Sequence, residues 1–149
     1  MENVLIDLDT GVAKLIDFGL GRFFNDPDEL IHSYRGTFYS APPEWFKEGK
    51  FNGLKAAIWS LGILLYSMMT SCDPFAVNEE NVPLHDTFRV RGDLPEGAQR
   101  LLSRCLAVDP AERPTLQEIF NDTFLVDAPK PPLPRELIEN GGVRREKVL

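Results

Sequence analysis

The sequence predicts a mainly α-helical fold with a small N-terminal β-hairpin, and three observations carry that expectation. Two short β-branched-rich runs at the start are separated by Asp9-Thr10-Gly11, a long apolar stretch runs from Ala56 to Met69, and Pro95 to Ala107 repeats apolar residues at helical spacing. With 149 residues, 43% of them hydrophobic, the chain can bury one core, which predicts a single domain.

The elements follow in order. Val4–Leu8 and Ala13–Asp17 read as the two strands of the hairpin, with Gly11 supplying the positive φ of the turn. From Phe18 to Ser40 glycines, charges and aromatics mix without period, which predicts a long irregular segment of the kind that carries function. Pro42 and Pro43 before Glu44 suit a short helix start, because a proline at the first helical position gives up only an amide that has no partner there. Leu54–Thr70 is apolar on almost every side, as a central core helix is, and Gly62 within it allows a neighbour to approach closely. Ala98, Leu101, Leu102, Cys105 and Leu106 form one inward stripe on a helix that ends before the Asp109-Pro110 turn. Thr115 with Glu118 three residues on forms a capping box ahead of Ile119 and Phe120, so a last short helix is expected there. From about Asp127 the composition turns proline-rich and then charged, which predicts a disordered tail over 126–149 after a domain over 1–125.

Composition excludes some functions. A formal charge of −7 argues against a phosphate-backbone binder, so nucleic acid is not an expected partner. The apolar run from Ala56 to Met69 falls short of the ~20 residues that span bilayer hydrocarbon, so no membrane partner is expected either. No charged-then-apolar leader is present, and Cys72 and Cys105 make no disulfide framework, which fits a reducing cytoplasmic location, with the nucleus as an alternative.

Chemistry enters through Asp17-Phe18-Gly19, a weak signal by itself, since a strand ending in an acid and a glycine turn is common. Its surroundings change the reading. Glu2-Asn3-Val4-Leu5 precedes it by one hairpin, and Gly36-Thr37, Pro43-Glu44, Trp59-Ser60-Leu61-Gly62 and Asp109-Pro110 to Arg113-Pro114 follow in order. In that order and spacing the chain resembles the C-terminal lobe of eukaryotic protein kinases. The wording ENVLIDL, KLIDFG, PPEW, AAIWSLGILLY and CLAVDPAERPT is most similar to the Pim group of serine/threonine kinases. Ala57, where most kinases carry an aspartate, is also the residue of the Pim group.

The resemblance implies a serine/threonine protein kinase, a transferase that moves the γ-phosphate of ATP to protein serine or threonine with Mg²⁺. Asn3 and Asp17 match the metal-holding positions, and both supply the hard oxygens that Mg²⁺ takes; Asn3 alone also reads as a turn residue. Leu5 and Ile16 match positions that line the adenine pocket, although as residues they could equally be ordinary core. The same resemblance implies that Asp17 serves the nucleotide as well as the metal. Thr37 matches the threonine that lies beside the catalytic aspartate, a supporting catalytic role, and implies hydroxyl amino acids as acceptors; a plain loop threonine is the other reading. Glu44 and Arg113 match a buried pair, and Trp59 reads as core. Asp26, Asp28, Glu29, Glu79 and Glu80 are candidate readers of a basic peptide, or solvated loop charges.

Several positions depart from the pattern. The usual loop tyrosine is replaced by Ser40, with Tyr39 displaced by one, and Pro83 would interrupt a helix that the family has near Glu79–Arg89. The family's His-Arg-Asp-x-x-x-x-Asn loop puts its base further ahead of the metal asparagine than the two residues before Asn3. The base is therefore expected to lie outside these residues, as are the glycine-rich loop and its lysine. The chain reads as a kinase fragment that starts inside the catalytic loop and is inactive alone. The alternative is a non-catalytic binding or decoy module, for which Pro131-Pro132-Leu133-Pro134 is a weak docking motif. The face with Ile58, Leu61, Leu65 and Met68 is expected to lie uncovered, favouring self-association or a chaperone partner.

Overall fold

In the computed structural model, placement is described for residues 3–7, 9–23, 26–79, 82–85, 88 and 90–127. The expected disordered tail, the Pro131–Pro134 motif and Glu80 lie outside them. Contacts divide the chain into two units, Met1–Gly21 with Pro129–Leu149, and Arg22–Ala128.

The first unit carries the expected hairpin, with shorter strands than the sequence suggests. Strands β1 (Val4–Ile6) and β2 (Ala13–Leu15) pair antiparallel, with Val4 opposite Leu15, Leu5 opposite Lys14 and Ile6 opposite Ala13. Gly11 has a φ of 72°, the left-handed geometry that glycine takes without penalty.

The second unit is helical. Its elements are β3 (Leu30–Ile31), α1 (Pro43–Glu48), β4 (Phe51–Asn52), α2 (Gly53–Thr70), α3 (Glu96–Cys105), α4 (Leu116–Phe120) and α5 (Thr123–Val126). The β3–β4 pair, Leu30 with Asn52 and Ile31 with Phe51, was not legible in the sequence, because two residues carry no alternation. It fastens the irregular segment to the start of α2, where the Asn52 side chain caps the helix by accepting from the Lys55 amide at 3.0 Å. The capping box of α4 is present in both directions: the Glu118 amide donates to Thr115 Oγ1 at 3.2 Å and the Thr115 amide to Glu118 Oε2 at 2.7 Å.

Helix α2 organises the core. Trp59, Ile63 and Tyr66 pack against Leu102 and Leu106, while Ile58 packs against Leu101, Cys105 and Ile119. Every apolar position expected on the α3 stripe is buried. Gly62 is required by distance, since a Cβ there would come within 2.8 Å of Cys105 Cβ and Leu106 Cδ2. At 18 residues α2 has the length and composition of a membrane span, yet six of its residues, Trp59 and Gly62 among them, are buried within the chain, as in a core helix.

The uncovered face differs from expectation. Ile58 is buried and Leu65 half-buried, because their side of α2 meets α3 and α4; Leu54, Leu61 and Met68 are the exposed ones. A groove of about 650 Å³ runs along that side, lined by Leu54, Leu61, Leu64 and Leu116.

Glu44 and Arg113 form the expected buried pair, bidentate at 2.9 and 2.6 Å, with the Arg113 side chain wholly enclosed. The guanidinium also donates to the carbonyls of Lys55 at 3.1 Å and Ala107 at 3.0 Å and lies 4.8 Å from the Trp59 ring centroid. Removing one partner of a buried pair strands the other charge. Arg113→Ala is expected to lower unfolding free energy by roughly 3–5 kcal/mol, measured by urea denaturation; an unchanged midpoint would show that the pair does not hold this unit together.

Candidate functional site

The hairpin brings together the residues that the sequence assigns to metal and nucleotide. Residues directly opposite each other on antiparallel strands share a face, as do alternate residues along one strand. The Ile16 amide donates to the Asn3 carbonyl at 3.0 Å, which extends the register by one pair and sets Asn3 opposite Ile16. Asn3, Leu5 and Ile16 therefore lie on one face, with Asp17 next in the chain. Leu5 and Ile16 are 48% and 38% exposed in this structure.

Asp17 is in the left-handed region at φ 60°, a conformation that an aspartate tolerates when its short side chain bonds locally. Its Oδ1 accepts the Gly19 amide at 3.1 Å. The turn at the other end is held by Asp7, whose Oδ1 accepts the amides of Asp9 at 2.9 Å and Thr10 at 3.2 Å. Those two bonds favour the carboxylate and hold Asp7 below its ordinary range. No cluster of three or more histidine, cysteine or acidic side chains that could hold a metal occurs among the described residues. The Asn3 amide oxygen and the Asp17 carboxylate are nonetheless the hard donor types that Mg²⁺ takes, through few protein ligands, when it is also held by nucleotide phosphates. The donor set thus fits Mg²⁺, and the exposed Leu5 and Ile16 fit the flat apolar body of a nucleotide base.

Thr37 belongs to the second unit. It precedes a 3-10 turn over Phe38–Ser40, and its carbonyl accepts the Ser40 amide at 2.9 Å and the Tyr34 hydroxyl at 3.3 Å. Tyr34 packs on Trp45 and Phe51, and burial pushes its phenol above the ordinary value. Thr37, Phe38 and Tyr39 form one wall of a cleft of about 430 Å³; Asp73, Pro74, Phe75, Val77 and Pro83 form the other, over Ile63.

Pro83 shapes that second wall. It bridges Val77 in an antiparallel pair, flanked by Leu84 N–H to Ala76 C=O at 2.9 Å and Asn78 N–H to Val82 C=O at 3.0 Å. Of the acidic candidates, Asp26, Asp28 and Glu79 are exposed, and Glu29 is ion-paired with Arg22. Sequence reasoning missed Asp73 at the cleft and His85 behind it; neither stands in a periodic or motif context that would have marked it.

A helical unit built on one central helix and tied by a buried Glu–Arg pair, with an Asn/Asp-bearing hairpin ahead of it in the sequence, matches the order of elements expected from the kinase resemblance. Residues 1–125 match the family model described as the protein kinase domain, and the chain belongs to that family. Among curated relatives it is 31% identical over 148 residues to serine/threonine-protein kinase pim-2 of Danio rerio, covering 99% of this chain and 44% of the relative. It is 38% identical over 130 residues to serine/threonine-protein kinase prk-2 of Caenorhabditis elegans, covering 83% and 28%. Mitosis inducer protein kinase cdr1 of Schizosaccharomyces pombe is 30% identical over 146 residues, covering 90% and 24%. The chain thus spans less than half the length of each of these relatives.

The hairpin turn carries a pH dependence. A depressed carboxyl stabilises the fold above its unfolded value, and that contribution is lost as pH falls through the folded value. The Asp9 and Thr10 amide resonances are expected to hold through neutral pH and to shift together only below the ordinary carboxylate range; Asp7→Ala should abolish that step. A transition at the ordinary carboxylate value would show that the two bonds do not form.

Proposed function

We propose that the protein to which these residues belong transfers the γ-phosphate of ATP to serine or threonine of other proteins, and that this chain carries the metal end of the site. The juxtaposition of Asn3, Leu5 and Ile16 on one hairpin face with Asp17 beside them carries the reading. Asn3 and Asp17 would hold Mg²⁺, Asp17 also serving the nucleotide, and Leu5 and Ile16 would supply apolar contact to the adenine. Bound there, the metal would neutralise charge on the nucleotide's phosphates. Thr37 supports the acceptor side of the reaction. The serine/threonine kinases among the relatives support hydroxyl acceptors, and the cleft beside Thr37 supports an extended peptide as the protein substrate.

The 149 residues contain no His-Arg-Asp sequence and no glycine-rich phosphate loop, so the base and the phosphate clamps are not among them. Positioning and electrostatics supply most of this catalysis. The chain by itself is therefore an incomplete catalyst, and the cytoplasm, with the nucleus as the alternative, is the compartment proposed for it.

Two measurements test the proposal. Titration with Mg²⁺ and ATP is expected to shift the Asn3 and Asp17 amide resonances in the natural chain and to leave them unmoved in Asp17→Ala. Radiolabelled ATP with a basic serine peptide is expected to give no incorporation above the Asp17→Ala control. Unmoved resonances in the natural chain would overturn the metal site, and incorporation abolished by Asp17→Ala would overturn the claim of incompleteness.

A further inference from the structure

The imidazole of His85 is 9% exposed and lies among three aromatic rings from three parts of the second unit. Phe46 of α1 is 5.4 Å away, Trp59 of α2 5.3 Å, and Phe75 of the loop after α2 5.0 Å, ring centre to ring centre. Such a box would be filled as well by phenylalanine or leucine. One ring nitrogen has a target that neither would reach: Nε2 is 3.2 Å from the carbonyl oxygen of Ala41. A carbonyl oxygen can only accept, so Nε2 carries the proton and donates.

Ala41 is fully buried and closes the Phe38–Ser40 turn through its own amide, which donates to the Phe38 carbonyl at 3.1 Å. His85 is tied to the opposite wall by its chain, since Leu84 bonds Ala76 and Pro83 bridges Val77. Both walls of the cleft therefore converge on this one side chain.

We propose that His85 is the clasp of the cleft, a positioning residue that holds the Phe38–Ser40 turn against the wall formed by Phe75 and Pro83 and so sets which acceptor peptides enter. The second half of this statement rests on the kinase reading above. His85 touches neither phosphate nor acceptor; it acts through Ala41. Losing the donor while keeping the ring frees the turn, whose two internal bonds, Ser40 to Thr37 and Ala41 to Phe38, are short-range and hold little on their own.

Hydrogen exchange on the full 149-residue chain tests the clasp. His85→Phe keeps the aromatic contacts and removes the donor; His85→Gln restores a donor without the ring. In His85→Phe the Ser40 and Ala41 amides are expected to exchange about tenfold faster, the weight of one buried hydrogen bond. Amides within α2 and α3 should be unchanged, and His85→Gln should recover most of the protection. Unchanged exchange at Ser40 and Ala41 overturns the clasp, as does acceleration spread evenly through α2 and α3, the mark of a residue that only packs.

Binding of labelled serine peptides, varied in the residue next to the serine, tests admission. The natural chain is expected to rank them, and His85→Phe to flatten the ranking. An unaltered ranking overturns the specificity role. A natural chain that binds none of the peptides overturns the reading of the cleft as an acceptor site, while the exchange data still decide the clasp.

Discussion

The buried Glu44–Arg113 pair is the constraint on which the second unit is built. A guanidinium enclosed by protein is tolerated when its nitrogens are bonded, and four of its five N–H groups donate to Glu44, Lys55 and Ala107, so that every nitrogen has a partner. Together they fix three elements: two bonds hold the start of α1, one the first turn of α2, and one the segment after α3. Lys55 returns the tie, its Nζ donating to the Arg113 carbonyl at 2.9 Å. The planar fork explains why arginine stands here, since a lysine could not engage both carboxylate oxygens and two carbonyls at once. Trp59, beneath the guanidinium and stacked on Phe75, passes the same constraint towards the cleft, because His85 rests against its edge.

What the sequence made legible is what has period or a fixed chemical partner. Helix α3 was readable because its apolar residues recur at 3.6, and α4 because a threonine and a glutamate three apart have one common use in front of a helix. The β3–β4 pair and α5 were not, being two and four residues long; α5 is set by the Asp122 cap, with Arg100 bonded to the same carboxylate at 3.0 Å. The apolar face of α2 was misjudged for a related reason. On a helix apolar all round, periodicity does not say which side meets a neighbour, and only the packed structure shows that Ile58 faces α3 while Leu61 faces out.

The site divides along the same line. Asn3, Asp17, Leu5 and Ile16 were named from resemblance, and the hairpin reading added only that its two ends lie side by side; the register then sets Asn3, Leu5 and Ile16 on a common face. The cleft beside Thr37 was not readable. Its second wall is a local β-bridge around Pro83, and its fastening is a histidine whose importance comes from contacts 39 to 44 residues distant in sequence for Phe46 and Ala41.

The close approach that Gly62 permits has a chemical result for the two thiols. Because α2 and α3 meet without a side chain between them, Cys105 is sealed at the contact, and burial pushes its thiol up to about 11. The thiolate is the nucleophile in alkylation and disulfide exchange, so at neutral pH Cys105 is inert towards both. Cys72, exposed just beyond α2, is left as the thiol open to oxidants, and any disulfide between two intact copies of the chain runs from one Cys72 to the other.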